Sequence, residues 1–164
     1  MNTEILIERY RRHNESEQIV LAALIRNFEP TIYDKNNTES IIRGRIKRTK
    51  GLTIFLDAEN SNLTASGLNY RKTEIRVASK KSSVFTEVKH QTKISNIQDA
   101  VLGEIARAKN VKGKYWLVLL GKAYRRPIVI AEFFSMIAKY KLDNKVRIFT
   151  TVEEYILALQ DEIL

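Results

Sequence analysis

The stretch Thr73–Gln91, TEIRVASKKSSVFTEVKHQ, is the most informative part of this sequence. Two runs rich in β-branched residues, Thr73–Ser79 and Val84–Gln91, flank the polar sequence KKSS. Such runs on either side of a short polar segment predict a β-hairpin. With KKSS as the connection, Ser79 is expected to lie opposite Val84.

Polar and apolar residues alternate along both predicted strands. Alternation with a period of two assigns them to opposite faces of a sheet. The apolar face, suited to a core, carries Ile75, Val77, Val84 and Val88. On the other face, this register places Glu74 opposite Lys89 and Arg76 opposite Glu87. Glu74 and Glu87 then become diagonal neighbours, with Cβ atoms about 7–8 Å apart.

Further elements are predicted on both sides of this hairpin. In the N-terminal part, the pattern predicts a helix over about residues 3–28, a hairpin of Ile41–Arg48 with Leu52–Ala58, and a loop over Asn60–Asn69. In the C-terminal part, the pattern predicts helix Ile97–Lys109, strand Lys114–Leu120, a helix from Pro127 to about Lys141, strand Val146–Thr150 and helix Val152–Ile163. This order predicts an α/β fold with a mixed central sheet flanked by helices. We expect one domain over residues 1–164, with a core of about 14–120 and a C-terminal helix–strand–helix extension of about 121–164.

Composition excludes several classes of protein. The 164 residues include no Cys and two His, which excludes a disulfide framework and a Cys-based zinc site. No apolar run approaches the roughly 18 residues that a membrane span needs. The N-terminus is charged throughout, unlike a signal peptide, so a cytoplasmic protein with no membrane contact is expected. The net charge of +9 favours a polyanionic partner.

The pair Glu74 and Glu87, with Lys89 beside it, has the composition of a site for phosphodiester hydrolysis. Mg²⁺ binds oxygen ligands and needs only one or two carboxylates besides the substrate phosphate. A neighbouring ammonium group can orient a water molecule and balance developing charge. We therefore predict Glu74 and Glu87 as ligands of Mg²⁺ or Mn²⁺, and Lys89 as a catalytic residue. Asp57 is the alternative to Glu74, and Glu17 of the first helix is a further candidate.

These residues resemble the PD-(D/E)XK nuclease superfamily, which includes restriction enzymes and Holliday-junction resolvases. Glu87-Val88-Lys89 matches the (D/E)XK part residue for residue, whereas Thr73-Glu74 stands where the family has Pro-Asp. The resemblance implies a restriction-endonuclease-like αβββαβ core. It also implies Mg²⁺-dependent hydrolysis of DNA by a homodimer or higher homo-oligomer, with Glu74, Glu87, Lys89 and Glu17 as catalytic residues.

Basic residues concentrate near the predicted site. Phosphate contacts by Lys and Arg supply most non-specific affinity for nucleic acids. Tyr70 and Tyr124, in predicted loops, are weaker candidates for base contact. The predicted nucleic-acid-binding residues are Arg43, Arg45, Lys47, Arg71, Lys72, Arg76, Lys93, Arg125 and Arg126.

Two alternatives remain open on the sequence. The charged face of the hairpin could be a solvated surface, with Glu74–Lys89 and Arg76–Glu87 as ordinary cross-strand ion pairs. The domain could also be a non-catalytic nucleic-acid-binding module or an RNA-cleaving toxin. The chain carries no glycine-rich phosphate loop and no G-x-S-x-G motif, so other common enzyme classes lack support.

Overall fold

The structure is a computed structural model that describes residues 15–28, 31–34, 53–59, 62–64, 67–69 and 72–163. Side-chain surroundings are described for residues 19–24, 26–28 and 75–163. The helices are α1 (Glu15–Phe28), α2 (Ile97–Asn110), α3 (Pro127–Lys139) and α4 (Val152–Ile163), with a 3₁₀ helix at Lys122–Arg125. The strands are β1 (Thr31–Asp34), β2 (Thr53–Glu59), β3 (Asn62–Thr64), β4 (Gly67–Asn69), β5 (Lys72–Ala78), β6 (Ser83–His90), β7 (Lys114–Leu120) and β8 (Val146–Phe149).

The described strands form one mixed sheet and a small separate hairpin. The sheet has the order β1-β2-β5-β6-β7-β8, and β3 pairs with β4. Strands β2, β5 and β6 are antiparallel neighbours, whereas β6, β7 and β8 run parallel. The central strands β2, β5, β6 and β7 therefore combine a meander with a crossover through α2, which confirms the predicted mixed α/β class.

Most predicted elements from Thr73 onward agree with the structure to within two residues at each end. In the N-terminal half, one prediction is wrong and one strand was missed. The segment predicted as a loop, Asn60–Asn69, contains the β3–β4 hairpin, and β1 was not predicted. Strand β1 runs parallel to β2. The predicted strand Ile41–Arg48 lies outside the described residues.

Two hydrophobic layers cover the two faces of the sheet. Helices α1 and α4 pack on the face that carries Val84 and Val88, as the alternation of β6 predicts. Helices α2 and α3 pack on the opposite face, together with Phe85 and Tyr115. Strand β7 contributes to both layers, which explains its uninterrupted apolar sequence. Because α2 lies over the face of Phe85, Glu87 and Lys89, that face is covered rather than solvated.

Helix α2 starts at a defined cap, because the side chain of Asn96 accepts a hydrogen bond from the backbone N–H of Asp99 at 3.1 Å. Its basic last turn, with Arg107 and Lys109, suits the negative end of the helix dipole. No helix among the described residues is long and apolar enough to cross a membrane.

A buried hydrogen bond fixes α4 to the centre of the sheet, and its removal is predicted to be costly. The hydroxyls of Thr86 and Tyr155 lie 2.7 Å apart, and both residues are fully buried. Tyr155→Phe leaves the Thr86 hydroxyl without its partner, so we expect a loss of about 1–3 kcal/mol in unfolding free energy. Urea unfolding measures this loss.

The double variant Thr86→Val/Tyr155→Phe provides the control, because it removes both polar groups together. Replacing both partners by apolar groups of similar shape is close to neutral. We therefore expect the double variant to be more stable than Tyr155→Phe alone. A double variant with the summed losses of the two single variants would contradict this assignment.

Candidate functional site

The hairpin that opens the site is shorter than the sequence predicted. Its loop consists of Lys80 and Lys81, and the N–H of Ser79 donates to the carbonyl of Ser82 at 2.9 Å. The Ser79 hydroxyl also accepts hydrogen bonds from the N–H groups of Lys81 and Ser82. These local hydrogen bonds close a two-residue connection instead of the predicted four-residue one.

The shorter loop changes the register by two residues. Arg76 pairs with Phe85 instead of Glu87, and Ala78 pairs with Ser83. The predicted placement of Glu74 opposite Lys89 is wrong for the same reason. Arg76 hydrogen-bonds to the Ser83 hydroxyl at 3.3 Å, and its guanidinium lies 5.5 Å from the centre of the Phe85 ring. The described contacts of Arg76 are therefore with residues that lie between the Lys80–Lys81 turn and Glu87.

Strands β5 and β6 stop pairing at the predicted acids. Their described pairing ends with Ile75 and Thr86, one residue before Glu74 and Glu87. Beyond this point β5 stays paired with β2, and β6 stays paired with β7. The register pairs Glu74 directly with Asp57, so both candidates for the first acid occupy one cross-strand position.

Glu87 is the best-described member of the site. It is 7% exposed, and its Oε1 accepts a hydrogen bond from Arg107 Nη1 at 3.0 Å. Its Oε2 is buried and has no hydrogen-bond partner among the described residues. Buried polar atoms nearly always have a partner, so this oxygen requires an explanation such as a proton or a bound cation. The alternative of a solvated surface is wrong at this residue.

Lys89 connects Glu87 to a second buried carboxylate. Its Nζ lies 3.6 Å from Glu87 Oε1 and 3.4 Å from Glu104 Oε1, and a third of its side chain is exposed. Glu104 is 7% exposed, and its Oε2 accepts a hydrogen bond of 2.8 Å from the Tyr115 hydroxyl. The ammonium group is therefore held between two carboxylates and still reaches the surface.

The low polarity of these surroundings perturbs the carboxyl and phenol groups. Burial raises the pKa of Glu87 above its ordinary value of 4.5. Arg107 and Lys89 lower it, while Glu104 raises it further. Burial also raises the pKa of Tyr124 to about 12, with added effects of Glu104 and Glu87, so this phenol stays neutral. Shifts of this kind concentrate at functional sites, although structural ion pairs also cause them.

Sequence reasoning missed Glu104, Arg107 and Tyr115. Glu104 had a detectable signal, because it lies three residues after Val101 and one before Ile105, on the buried stripe of α2. A carboxylate on a core-facing stripe needs a hydrogen-bonding or positively charged partner. The same reasoning identified Glu17 on the first helix as a candidate. Arg107 follows three residues later, which places it one turn along the same side of the helix.

Glu17 lies in the first turn of α1, and the buried residues of that helix pack with Val84 and Val88. Glu87 and Lys89 alternate with these valines, so they belong to the opposite face of β6. The placement of α1 gives no support to contact between Glu17 and Glu87. Its side chain lies outside the described surroundings, and its role stays a prediction.

The predicted nucleic-acid-binding residues fall into separate groups. Lys93, Arg125 and Arg126 are exposed, and all three follow the carboxyl ends of β6 or β7. Arg76 is partly buried, and Lys72 is described only by its position in β5. Tyr124 is 4% exposed, so its predicted contact with bases is wrong. The positions outside the described residues are Arg43, Arg45, Lys47, Tyr70 and Arg71.

The predicted metal ligands lie on three neighbouring strands, β2, β5 and β6. Among the described side chains, no three of the types His, Asp and Glu come together as a group that could hold a metal ion. Glu74 and Asp57 are known here only by their paired positions on β5 and β2. Among the described side chains, Oε2 of Glu87 is a buried carboxylate oxygen without a hydrogen-bond partner.

Comparison with family profiles, with curated proteins and with solved structures finds no match to this chain. Its function therefore has to be argued from the chemistry of the site itself.

Proposed function

We propose that the protein is an endonuclease that hydrolyses DNA phosphodiester bonds with Mg²⁺ or Mn²⁺, in the manner of the PD-(D/E)XK superfamily. The observation that carries the proposal is the buried Oε2 of Glu87, which has no hydrogen-bond partner in the part of the chain that the structure describes and lies two residues from Lys89 on the same strand face. The proposal includes action as a homodimer or higher homo-oligomer in the cytoplasm.

The donor chemistry fits a hard divalent cation. Glu87 Oε2, Glu74 and, in the alternative, Asp57 would hold the ion, since Mg²⁺ prefers carboxylate oxygens. When bound, Mg²⁺ supplies Lewis-acid polarisation of a phosphate group. The position of the two acids supports this assignment, because Glu74 and Glu87 lie directly beyond Ile75 and Thr86, the last described pair of β5 and β6 at this end.

Lys89 and its neighbours account for the remaining chemistry. The ammonium group can donate a hydrogen bond to a phosphate oxygen or to an attacking water, and it offsets negative charge that develops on the phosphate. Glu104 positions this group from 3.4 Å, and Tyr115 in turn holds Glu104. Arg107 fixes Oε1 of Glu87, which leaves the other carboxylate oxygen available to a cation.

The order of elements also favours the proposal. Helix α1, strands β2, β5 and β6, helix α2 and strand β7 occur in this order along the chain, with β1 as an insertion before β2 and β3–β4 as an insertion after it. Strands β2, β5 and β6 form the meander, and β7 lies parallel to β6. Apart from these insertions, the order supports the αβββαβ core that the resemblance implies.

Plasmid cleavage tests the proposal. We expect the full chain to convert supercoiled plasmid to nicked and linear forms with Mg²⁺ or Mn²⁺, and to do nothing in EDTA. Lys89→Met is expected to lower the rate about 100-fold, as loss of one charge-stabilising donor does in other enzymes. Binding without cleavage across several DNA forms would identify a nucleic-acid-binding module, and cleavage restricted to RNA would identify a ribonuclease.

The two candidates for the first acid can be separated by metal affinity. We expect Glu74→Gln to weaken Mn²⁺ binding at least about tenfold and Asp57→Asn to weaken it less, since loss of a supporting group typically costs 10–100-fold. Isothermal titration with MnCl₂ measures both variants. Glu59→Gln is the matched control, because Glu59 lies on β2 but pairs with Lys72. A greater loss in Asp57→Asn than in Glu74→Gln would reverse the assignment.

A further inference from the structure

An open cavity of about 500 Å³ lies beyond the carboxyl ends of the parallel strands. Its lining includes His90 at the end of β6, Leu120 at the end of β7, and Thr150, which follows β8. Ile19 of α1 and Val152 of α4 complete one side. Cavities of this size accommodate small ligands, and the carboxyl edge of parallel strands is a common place for them.

The polar lining of the cavity favours an anion. Lys122 and Arg125 supply two positive charges, and Glu153 supplies one negative charge. Hydroxyl and imidazole groups come from Thr92, Thr150, Thr151 and His90. Cations together with neutral hydrogen-bond donors are the groups that bind phosphate oxygens.

The floor of the cavity is held by backbone hydrogen bonds. The N–H of Gln91 donates to the carbonyl of Leu120 at 3.0 Å, and the N–H of Ala123 donates to the carbonyl of Gln91 at 3.1 Å. Gly121 lies between them at φ 100°, in close contact with Gln91. These bonds fix the backbone next to His90 and on both sides of Lys122. The side chains of these two residues are therefore attached to an ordered backbone before a ligand binds.

This cavity is separate from the carboxylate site. His90 follows Lys89 directly, so alternation places the two side chains on opposite faces of β6. Leu120 and Val152 pack with the α1–α4 layer, whereas Glu87 faces α2. Ligand binding in the cavity therefore does not require the groups of the proposed nuclease site.

We propose that this cavity binds a phosphate monoester carried by a nucleotide, with Lys122 and Arg125 as its charged contacts. A phosphate monoester carries nearly two negative charges at neutral pH, so it can pair with both Lys122 and Arg125, which together outweigh the single negative charge of Glu153. The same chemistry occurs on a free mononucleotide and on the 5′ end of a polynucleotide. A phosphodiester carries one charge and fewer free oxygens, so it should bind this cavity less tightly.

Isothermal titration of the full chain in EDTA tests the proposal without cleavage. The probes are 5′-phosphorylated tetrathymidylate, its 5′-hydroxyl counterpart and thymidine 5′-monophosphate. We expect the 5′-phosphorylated strand to bind at least about tenfold more tightly than the hydroxyl form. Equal affinity for thymidine monophosphate would assign the cavity to free nucleotides, and weaker affinity would assign it to polynucleotide ends.

Three variants separate the cavity from general charge. Lys122→Gln/Arg125→Gln is expected to abolish the preference for the 5′-phosphate, and Glu153→Gln to strengthen binding about two- to threefold. Lys112→Gln/Lys139→Gln removes the same charge from exposed residues that do not line the cavity and should retain the preference. Glu87→Gln should retain it too, so failure of the nuclease proposal would leave this result intact. Equal affinity for phosphate and hydroxyl strands, or loss of the preference in the Lys112/Lys139 variant, would overturn the proposal.

Discussion

Replacing Glu87 by glutamine is expected to reduce Mg²⁺-dependent DNA cleavage at least about 100-fold and, in the same protein, to increase stability near neutral pH. The loss of activity follows from removing the charge of the carboxylate that would hold the cation. The gain in stability follows from the burial of that charge, because the surroundings of Glu87 favour its neutral form. Glutamine resembles this neutral form in shape and can still accept a hydrogen bond from Arg107.

The stability gain should depend on pH in a defined direction. The folded-state pKa of Glu87 is raised above its ordinary value of 4.5, so the neutral carboxyl group is favoured by folding. That contribution is fully present below about pH 4.5 and is lost as the pH rises through the raised folded-state value. We therefore expect Glu87→Gln to match the natural protein at low pH. At pH values above the raised folded-state pKa, the unfolding free energy of Glu87→Gln should exceed that of the natural protein by about 1 kcal/mol.

Glu162→Gln is the matched control, because it makes the same chemical change at a carboxylate far from the site. Glu162 pairs with Lys114 and accepts a hydrogen bond from Ser82 at 2.8 Å. Its substitution should leave cleavage unchanged and lower stability by about 0.5 kcal/mol. Urea unfolding in EDTA at pH 4 and pH 7 measures both variants. A Glu87→Gln protein that cleaves normally, or that is less stable at pH 7, would contradict the assignment of this residue.

The sequence predicted the strands and helices around this site more accurately than it predicted the pairing register of the strands. Alternation in Thr73–Ser79 and Val84–Gln91 correctly assigned Ile75, Val77, Val84 and Val88 to the core. Register was not predictable from the same pattern, because a shift of two residues keeps every side chain on its face. The hydrogen bonds of Ser79 across the Lys80–Lys81 turn set the register, and alternation carries no information about them.

The site was predictable where it depends on one strand and not where it depends on packing. Glu87 and Lys89 are two residues apart, so their common face follows from strand geometry alone. Arg107 reaches Glu87 from α2 across twenty positions of sequence, and only the docking of that helix brings the two together. Glu104 had a signal on its own helix, but its partners Lys89 and Tyr115 lie on two different strands.

Replacing Gly121 by alanine is expected to destabilise the protein by about 3 kcal/mol or more, because two costs act on one residue. Gly121 has φ 100° and ψ 164°, a region of backbone conformation that is essentially restricted to glycine. A Cβ atom there would lie 2.3 Å from the carbonyl oxygen of Gln91. That oxygen accepts the hydrogen bond from Ala123, so it cannot move away without breaking the connection.

Gly113 and Gly103 separate these costs. Gly113 has φ 82° but open space where a Cβ atom would lie, so Gly113→Ala should lose only about 1–2 kcal/mol from strain. Gly103 lies within α2 with neither restriction, so Gly103→Ala should gain about 0.5–1 kcal/mol from helix propensity. Thermal unfolding of the three variants should rank Gly103→Ala above the natural protein, then Gly113→Ala, then Gly121→Ala.

For a chain of this length, a loss of about 3 kcal/mol corresponds to a fall in Tm of about 6–12 °C for Gly121→Ala. Because Gln91 directly follows His90 and lies two residues after Lys89, displacement of its carbonyl should also weaken phosphate binding in the cavity and slow cleavage. Gly113→Ala, at the opposite end of β7, should change neither activity once the protein is folded. Equal losses of stability in Gly113→Ala and Gly121→Ala would mean that strain alone matters and that the contact with Gln91 does not constrain this end of the sheet.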